Sequence, residues 1–144
     1  MILVDTNLLL YAYHSASAHH ERARRWLEAS LARPEPVRLA WMSILAFLRI
    51  STDARMRGQL FLMAEAVSIV DEWFALPNVG LLVPGERHWT ILSDLLGETQ
   101  SRGALVMDAH LAALAIEHGA TLCTNDRDFS RYPGVRVEYP LSTA

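Results

Sequence analysis

The amino-acid sequence predicts an α/β fold, a three-layer α/β/α sandwich around a mainly parallel central sheet. Three observations carry the prediction. The chain opens on a run of branched apolar residues, Ile2-Leu3-Val4, that stops at Asp5-Thr6-Asn7. Short apolar runs then alternate with segments of helical periodicity, and the opening pattern returns late, where Ala120-Thr121-Leu122-Cys123-Thr124 stops at Asn125-Asp126-Arg127-Asp128. An aliphatic run without polar alternation suits a strand covered on both faces, and strands alternating with helices build a parallel sheet. At 144 residues the chain has the length of one domain, residues 1–144, with one substantial core.

Each element has its own signal. Leu8 to Tyr13 starts a helix with Asp5 or Thr6 near its N-cap. A second helix fits Ser17 to Leu31, where Ala23, Trp26, Leu27 and Leu31 recur at helical spacing, and Pro34 and Pro36 end it. Val37 to Trp41 reads as a strand, and Ser43 to Ser51 as a helix apolar on nearly every side. Thr52 to Gly58 is a polar, Arg-bearing break and a candidate mobile loop. Leu60 to Leu76 resumes as an amphipathic helix, Val79 to Val83 as a strand, and Glu86 to Gln100 as a helix after the Pro84-Gly85 turn. Val106-Met107-Asp108 opens an Ala- and Leu-rich helix that stops at His118-Gly119. The strand Ala120 to Thr124 and a final short strand, Val135 to Tyr139, complete the chain.

Composition excludes several classes. No apolar run approaches the roughly 20 residues that span a bilayer, so no membrane partner is expected. A single cysteine, Cys123, cannot form an internal disulfide, which makes a cytoplasmic home the default. The apolar start has no basic segment before it, unlike a signal peptide. The formal net charge of −3 argues against a general nucleic-acid coat, but acids gathered in one metal site are compatible with a nuclease. All 13 basic residues are Arg; bidentate phosphate contacts or a GC-rich coding sequence would each produce that bias.

In a parallel sheet Asp5 and Asp126, each following a strand, reach the same carboxyl edge. Asp108 opens the helix that leads into the strand before Asp126, so its helix N-terminus lies at that edge too. Three carboxylates can converge there, and their mutual repulsion calls for a divalent cation; all-oxygen ligands favour Mg²⁺, with Mn²⁺ able to substitute. Each acid alone reads more readily as a helix cap or turn brace, and the three together reverse that preference. Asp128 either orients water or a second metal or forms an Asx turn. The six histidines lack the i, i+4 spacing of a helical zinc pair, and surface or core-edge roles suit them better. Trp26, Trp41, Trp73 and Trp89 read as core or interface anchors.

Val4-Asp5-Thr6-Asn7, Asp108-Ala109-His110-Leu111-Ala112-Ala113-Leu114-Ala115 and Thr124-Asn125-Asp126-Arg127-Asp128-Phe129, in this order, resemble the PIN-domain family. More narrowly, the chain looks like a VapC-type toxin of a type II toxin–antitoxin pair. Phe47-Leu48-Arg49-Ile50 and the segment from Pro84-Gly85 to His88-Trp89 extend the likeness to almost the full length. The resemblance implies a PIN-like fold and a Mg²⁺-dependent endoribonuclease that is neutralised by a VapB-type antitoxin and forms a homodimer. Asp5 and Asp108 match the principal metal-binding acids, Asp126 the acid of the C-terminal motif, and Asp128 a more variable companion. One departure stands out: the position before Phe47-Leu48-Arg49, often Glu in the family, is Ala46. Either the site works with fewer acids, supported by Thr6, Asn7, Thr124 or Asn125 and water, or the chain binds RNA or antitoxin with impaired cleavage.

For RNA hydrolysis the expected roles follow. Asp5, Asp108 and Asp126 hold the metal, and Arg49, Arg55, Arg57 or Arg127 steadies the RNA backbone. A receiver-like phosphoacceptor fits poorly, because no acidic pair accompanies an early strand and the chain contains no Lys.

Overall fold

The structure is a computed structural model, and it describes residues 1–55 and 59–142. Five strands form one sheet: β1 (Ile2–Val4), β2 (Val37–Leu39), β3 (Val79–Leu81), β4 (Thr121–Cys123) and β5 (Arg136–Glu138). Their spatial order is β3-β2-β1-β4-β5, and every pairing is parallel. Six α-helices connect them: α1 (Thr6–Tyr13), α2 (His20–Ala32), α3 (Trp41–Ser51), α4 (Met63–Ala75), α5 (His88–Thr99) and α6 (Leu105–His118). A 3-10 turn, Arg127–Arg131, precedes β5.

The period-2 geometry of a strand explains the two helical layers. In β1, Ile2 and Val4 face a cluster with Leu8, Leu9, Leu27, Phe47 and Trp73, drawn from α1 to α4. Leu3, between them, faces the opposite cluster with Leu95, Leu111, Leu114 and Phe129. The same alternation sends Cys123 to the first layer and Leu122 to the second. Both faces of the sheet are thus apolar and covered at its centre, β1 and β4, as the unbroken aliphatic runs require, while the edge strands β3 and β5 are more exposed.

The chain walks outward from β1 through β2 to β3, then returns to the other side of β1 with β4 and β5. The direction of winding reverses between β1 and β4. Open parallel sheets form their crevice at such a reversal, beyond the carboxyl ends of the strands. Asp5 and Thr124 are the residues that leave those two strand ends.

Several boundaries differ from the sequence reading, each for a local reason. β2 stops at Leu39, because the amide groups of Ser43 and Ile44 already bond to Ala40 O and draw Trp41 into the first turn of α3. The second helix starts at His20 rather than Ser17, since Ser17 is used in a turn: its amide donates to His14 O and its hydroxyl accepts from His19 N. Leu60 and Phe61 stay out of α4 because both amides donate to Ser51 O, and the helix is entered at Leu62, whose amide donates to the Glu65 carboxylate. β5 and β3 are likewise shorter than expected. Of the expected loop Thr52 to Gly58, Thr52 is fastened to Leu48 O and Arg55 folds onto Asp53, whereas Met56, Arg57 and Gly58 lie outside the described residues.

Trp73 is a core anchor, its indole N–H donating to Tyr13 Oη, while Trp41 and Trp89 are 53% and 69% exposed. Among the described residues no helix is long and apolar enough to cross a membrane.

Candidate functional site

The ends of β1 and β4 are stitched together by polar side chains. The Asp5 amide continues the ladder to Cys123 O at 2.9 Å, and its side chain caps α1, Oδ1 accepting from Thr6 N at 2.7 Å. Its other oxygen, Oδ2, accepts from Thr124 Oγ1 at 2.7 Å. Thr124 is fully buried, and the same hydroxyl accepts from Asp126 N at 3.0 Å and from Asn7 Nδ2 at 3.3 Å. Asn7 Oδ1 in turn accepts from Asn125 N at 3.3 Å. Asp126 Oδ1 accepts from Asp128 N at 2.8 Å and caps the 3-10 turn. Hydroxyl, amide and carboxylate side chains next to a strand end suit this arrangement because they satisfy backbone N–H groups that the sheet has ceased to serve.

Asp108 reaches the same edge from the first turn of α6. Its carboxyl group is half-buried and its pKa is pushed up to about 6, first by burial and then by repulsion from Asp126, Asp5 and Asp128, with Arg131 opposing. A helix N-terminus alone would favour the ionised form; here desolvation and like charge outweigh it. The Asp5 carboxyl is raised as well, chiefly by burial, against the hydrogen bonds from Thr124 and Thr6 and with a further contribution from Asp126. Asp108 is thus coupled to the other three sequence-predicted acids, and Asp5 to Asp126, at a single edge of the sheet.

Among the described residues no three acids, histidines or cysteines stand close enough to form a finished cation cage. Asp5 and Asp126 turn oxygens toward the Thr6, Thr124 and Asp128 donors. Their chemistry nevertheless fits a hard divalent cation. The donors are all oxygen and the negative charge is concentrated, and part of the rise in the Asp108 pKa, after burial, comes from repulsion that a cation would relieve. Thr6, Asn7, Thr124 and Asn125, named from the sequence as supporting groups, all belong to the network, Thr6 and Asn125 through their backbone amides.

The arginines named from the sequence separate into different environments. Arg49, on α3, lines an open groove with Met42, Leu45, Ala46 and Met107, the residue before Asp108. Arg55 is engaged by Asp53 through two hydrogen bonds. Arg127 lies over the Tyr139 ring at 4.0 Å and donates to Ser142 Oγ. Arg57 lies outside the described residues.

Two features escaped sequence reasoning. Arg131, at the end of the 3-10 turn, pairs with Asp128 at 3.4 Å and holds the Asp108 pKa down; its only sequence signal is the i, i+3 spacing to Asp128. The second is a part-buried pair between α5 and α6, where His88 Nε2 and His110 Nδ1 meet at 2.9 Å. Beside it, the Glu117 carboxylate accepts from the Gly85 and Arg87 amides at 2.7 and 3.0 Å and fastens the Pro84-Gly85 turn to the helix. The 22-residue separation of the two histidines leaves no local signature.

The PIN-domain family model matches residues 2–135. Ribonuclease VapC37 of Mycobacterium tuberculosis is 40% identical over 140 residues, covering 97% of each chain. Ribonuclease VapC33 of the same organism is 36% identical over 141 residues, covering 98% of this chain and 99% of the relative. Among solved structures, FitAB bound to an IR36 DNA fragment superposes with a TM-score of 0.73 at 21% identity, covering 100% of this chain and 98% of the other. VapBC2 from Rickettsia felis, bound to a fragment of its promoter, gives 0.67 at 18% identity, covering 96% and 98%. These two likenesses speak to the fold, and they agree with the parallel five-stranded sheet. From the matched family model and the full-length VapC relatives, the chain belongs to the PIN-domain family, among its VapC-type members.

Proposed function

We propose that this chain is a Mg²⁺-dependent endoribonuclease, the toxin of a type II toxin–antitoxin pair, with Mn²⁺ able to replace Mg²⁺. The observation that carries the reading is the delivery of Asp5, Asp126 and Asp108 to the reversal of the sheet by the ends of β1 and β4 and the first turn of α6. Relatives named as ribonucleases along almost the whole chain support it.

Hydrolysis of a phosphodiester adds the oxygen of water to phosphorus and breaks the bond to one ribose oxygen, which leaves with a proton. Asp5, Asp108 and Asp126 would hold the cation, with Asp128 as a companion. When bound, a divalent ion supplies Lewis-acid stabilisation of phosphate charge and a more acidic water. Thr124 fixes the orientation of Asp5 through the 2.7 Å hydrogen bond, and Asn7 holds the Asn125-Asp126 backbone against the end of β1. Arg49, exposed and lining the groove, would bind RNA phosphate. Cleavage of RNA by the purified chain with and without Mg²⁺ tests the reading. Asp5→Asn and Asp108→Asn variants that cut as fast as the parent would overturn it.

Ala46 supports a second reading. It offers no oxygen from α3, so the chain could bind RNA or antitoxin with weak turnover. Ala46→Glu separates the two: a large gain in Mg²⁺-dependent cleavage favours an impaired native site, and no gain favours a site complete with fewer acids.

A VapB-type antitoxin and a second copy of the chain are the proposed protein partners. Leu62, Met63 and Val67 stand 66%, 52% and 43% exposed at the start of α4, more apolar surface than a lone helix ordinarily leaves open. Co-purification with the protein encoded beside it, and the mass of the isolated chain in solution, test both. A cytoplasmic location accords with a buried, unpaired Cys123 whose thiol pKa is pushed up to about 12 by burial.

A further inference from the structure

α3 and the N-terminus of α6 line an open groove of about 420 Å³ whose walls are Met42, Leu45, Ala46, Arg49 and Met107, the last of these the residue before Asp108. That volume lies in the range of sites for small ligands, about 300–1,000 Å³. Leu45 and Met107 are 59% and 50% exposed, so the apolar walls face solvent rather than the core. Trp41, Leu45 and Arg49 follow one another at four-residue spacing along the same stripe of α3, with Trp41 53% exposed. Among the described residues Arg49 has no carboxylate partner within ion-pair distance, in contrast to Arg24, Arg55 and Arg131.

Resting on the ribonuclease reading, we propose that this groove is a base-binding subsite for the nucleotide beside the cleaved bond of a single-stranded RNA. Three properties select that occupant. A nucleobase is flat and largely apolar on its faces, and thioether and leucine surfaces contact such faces without demanding a particular hydrogen-bonding edge. Its phosphate brings the negative charge that Arg49 lacks a partner for. The groove also includes Met107, the residue before Asp108, so a nucleotide held there lies beside the turn of α6 that carries this acid. Ala46 is the residue that makes this possible. A methyl group on the groove floor leaves room and carries no charge, whereas a carboxylate there would fill the floor and repel the phosphate. A purely apolar protein segment would fit the walls but would leave the Arg49 guanidinium unmatched. The larger cleft, about 500 Å³ between Arg33, Pro36, Arg38 and Pro77, lies at the opposite edge of the sheet, and its Arg38 guanidinium is already bonded to Val37 O and Asn78 O.

The test is an abasic scan. Fluorescein-labelled single-stranded RNA of one sequence, carrying one abasic nucleotide at successive positions, is bound to the full chain in EDTA and followed by anisotropy. For the parent, one position is expected to weaken binding about tenfold when its base is removed. In Ala46→Phe, which fills the groove, that position becomes indistinguishable from its neighbours. Leu45→Ala with Met107→Ala, which removes the walls without adding bulk, reduces the same discrimination and guards against a misfolded Phe variant. A scan that is flat in the parent, unchanged in both variants, or preceded by no RNA binding at all overturns the subsite. So does a change in sedimentation mass in the variants with RNA binding intact, which would make the groove an interface between copies. Base-dependent binding without Mg²⁺-dependent cleavage would refute the ribonuclease reading and leave the subsite standing. Cleavage with no groove dependence would do the reverse.

Discussion

Replacing Thr124 with valine removes one oxygen and almost no volume, and it strikes the centre of the network. The hydroxyl donates to Asp5 Oδ2 at 2.7 Å while accepting from Asp126 N at 3.0 Å and Asn7 Nδ2 at 3.3 Å. Loss of a hydrogen bond to a charged group costs about 1.5–3 kcal/mol, and an unsatisfied buried N–H about 1–3 kcal/mol. The Asp126 amide recovers some solvation at the edge of the sheet and the terms overlap, so the expected loss is about 2–4 kcal/mol, a large part of a typical stability of about 5–15 kcal/mol. The chemistry shifts in the same direction. The Thr124 bond is the strongest influence holding the Asp5 pKa down against burial; without it Asp5 takes up a proton at higher pH and competes less well for a cation. Urea denaturation gives the stability change, and Mg²⁺ titration by calorimetry gives the affinity. Thr124→Ser, which keeps the hydroxyl, should recover most of both. A valine variant within about 0.5 kcal/mol of the parent, with unchanged Mg²⁺ affinity, would refute the role assigned to this hydroxyl.

The remaining predictions concern charge and the supporting elements. Asp108 has a folded-state pKa of about 6 against an ordinary value of 3.8, so its ionised form destabilises the apo-protein above pH 6 and this penalty disappears below pH 4. Asp108→Asn should therefore raise the thermal midpoint of the Mg²⁺-free protein at pH 7.5 and lose that advantage by pH 4; an equal gain at both pH values would contradict the coupling. In the parent, Mg²⁺ affinity should fall as pH drops through 6, measured by calorimetry, because protons compete for the same carboxyl group. His110 is depressed chiefly by burial and further by His88, so its contribution is present above the ordinary histidine value and lost as pH falls. His110→Gln should flatten the acid side of the stability profile between pH 7 and 5. Glu117→Ala should release the Gly85 and Arg87 amides, seen as faster hydrogen exchange at those two positions with the β1 amides unaffected. Arg49→Gln should reduce the salt slope of RNA binding by about one, whereas Arg127→Gln should not, because Arg127 is held by Tyr139 and Ser142.

Much of the fold was legible because period and punctuation agree. The aliphatic run at Ile2-Leu3-Val4 could only be a covered strand, and its alternating contacts with two helical layers follow from strand geometry. The site was legible for the same reason: a strand that ends in Asp, Thr or Asn sends those groups to a known edge. Boundaries were less legible. Whether Trp41 ends a strand or starts a helix depends on which carbonyl takes the Ser43 and Ile44 amides, and the exclusion of Leu60 and Phe61 from α4 depends on Ser51, residues away in the chain. Pairings across layers left no local trace. Arg127 reads as a free cation until Tyr139 returns beside it, and His88 reads as a surface residue until α6 brings up His110. The hydroxyl of Thr124 was visible as a candidate, but its threefold role depends on Asp5 and Asn7, more than a hundred residues earlier.

The central claim is that Asp5, Asp108 and Asp126 act together to hold one catalytic cation load. It is tested most directly by calorimetric Mg²⁺ titration of the parent, Asp5→Asn, Asp108→Asn and Asp126→Asn, paired with cleavage of RNA by the same preparations. Saturable Mg²⁺ binding in the parent, weakened at least about tenfold in each variant together with loss of cleavage, is the predicted result. Parent-like Mg²⁺ affinity and cleavage in the Asp5 and Asp108 variants would contradict it.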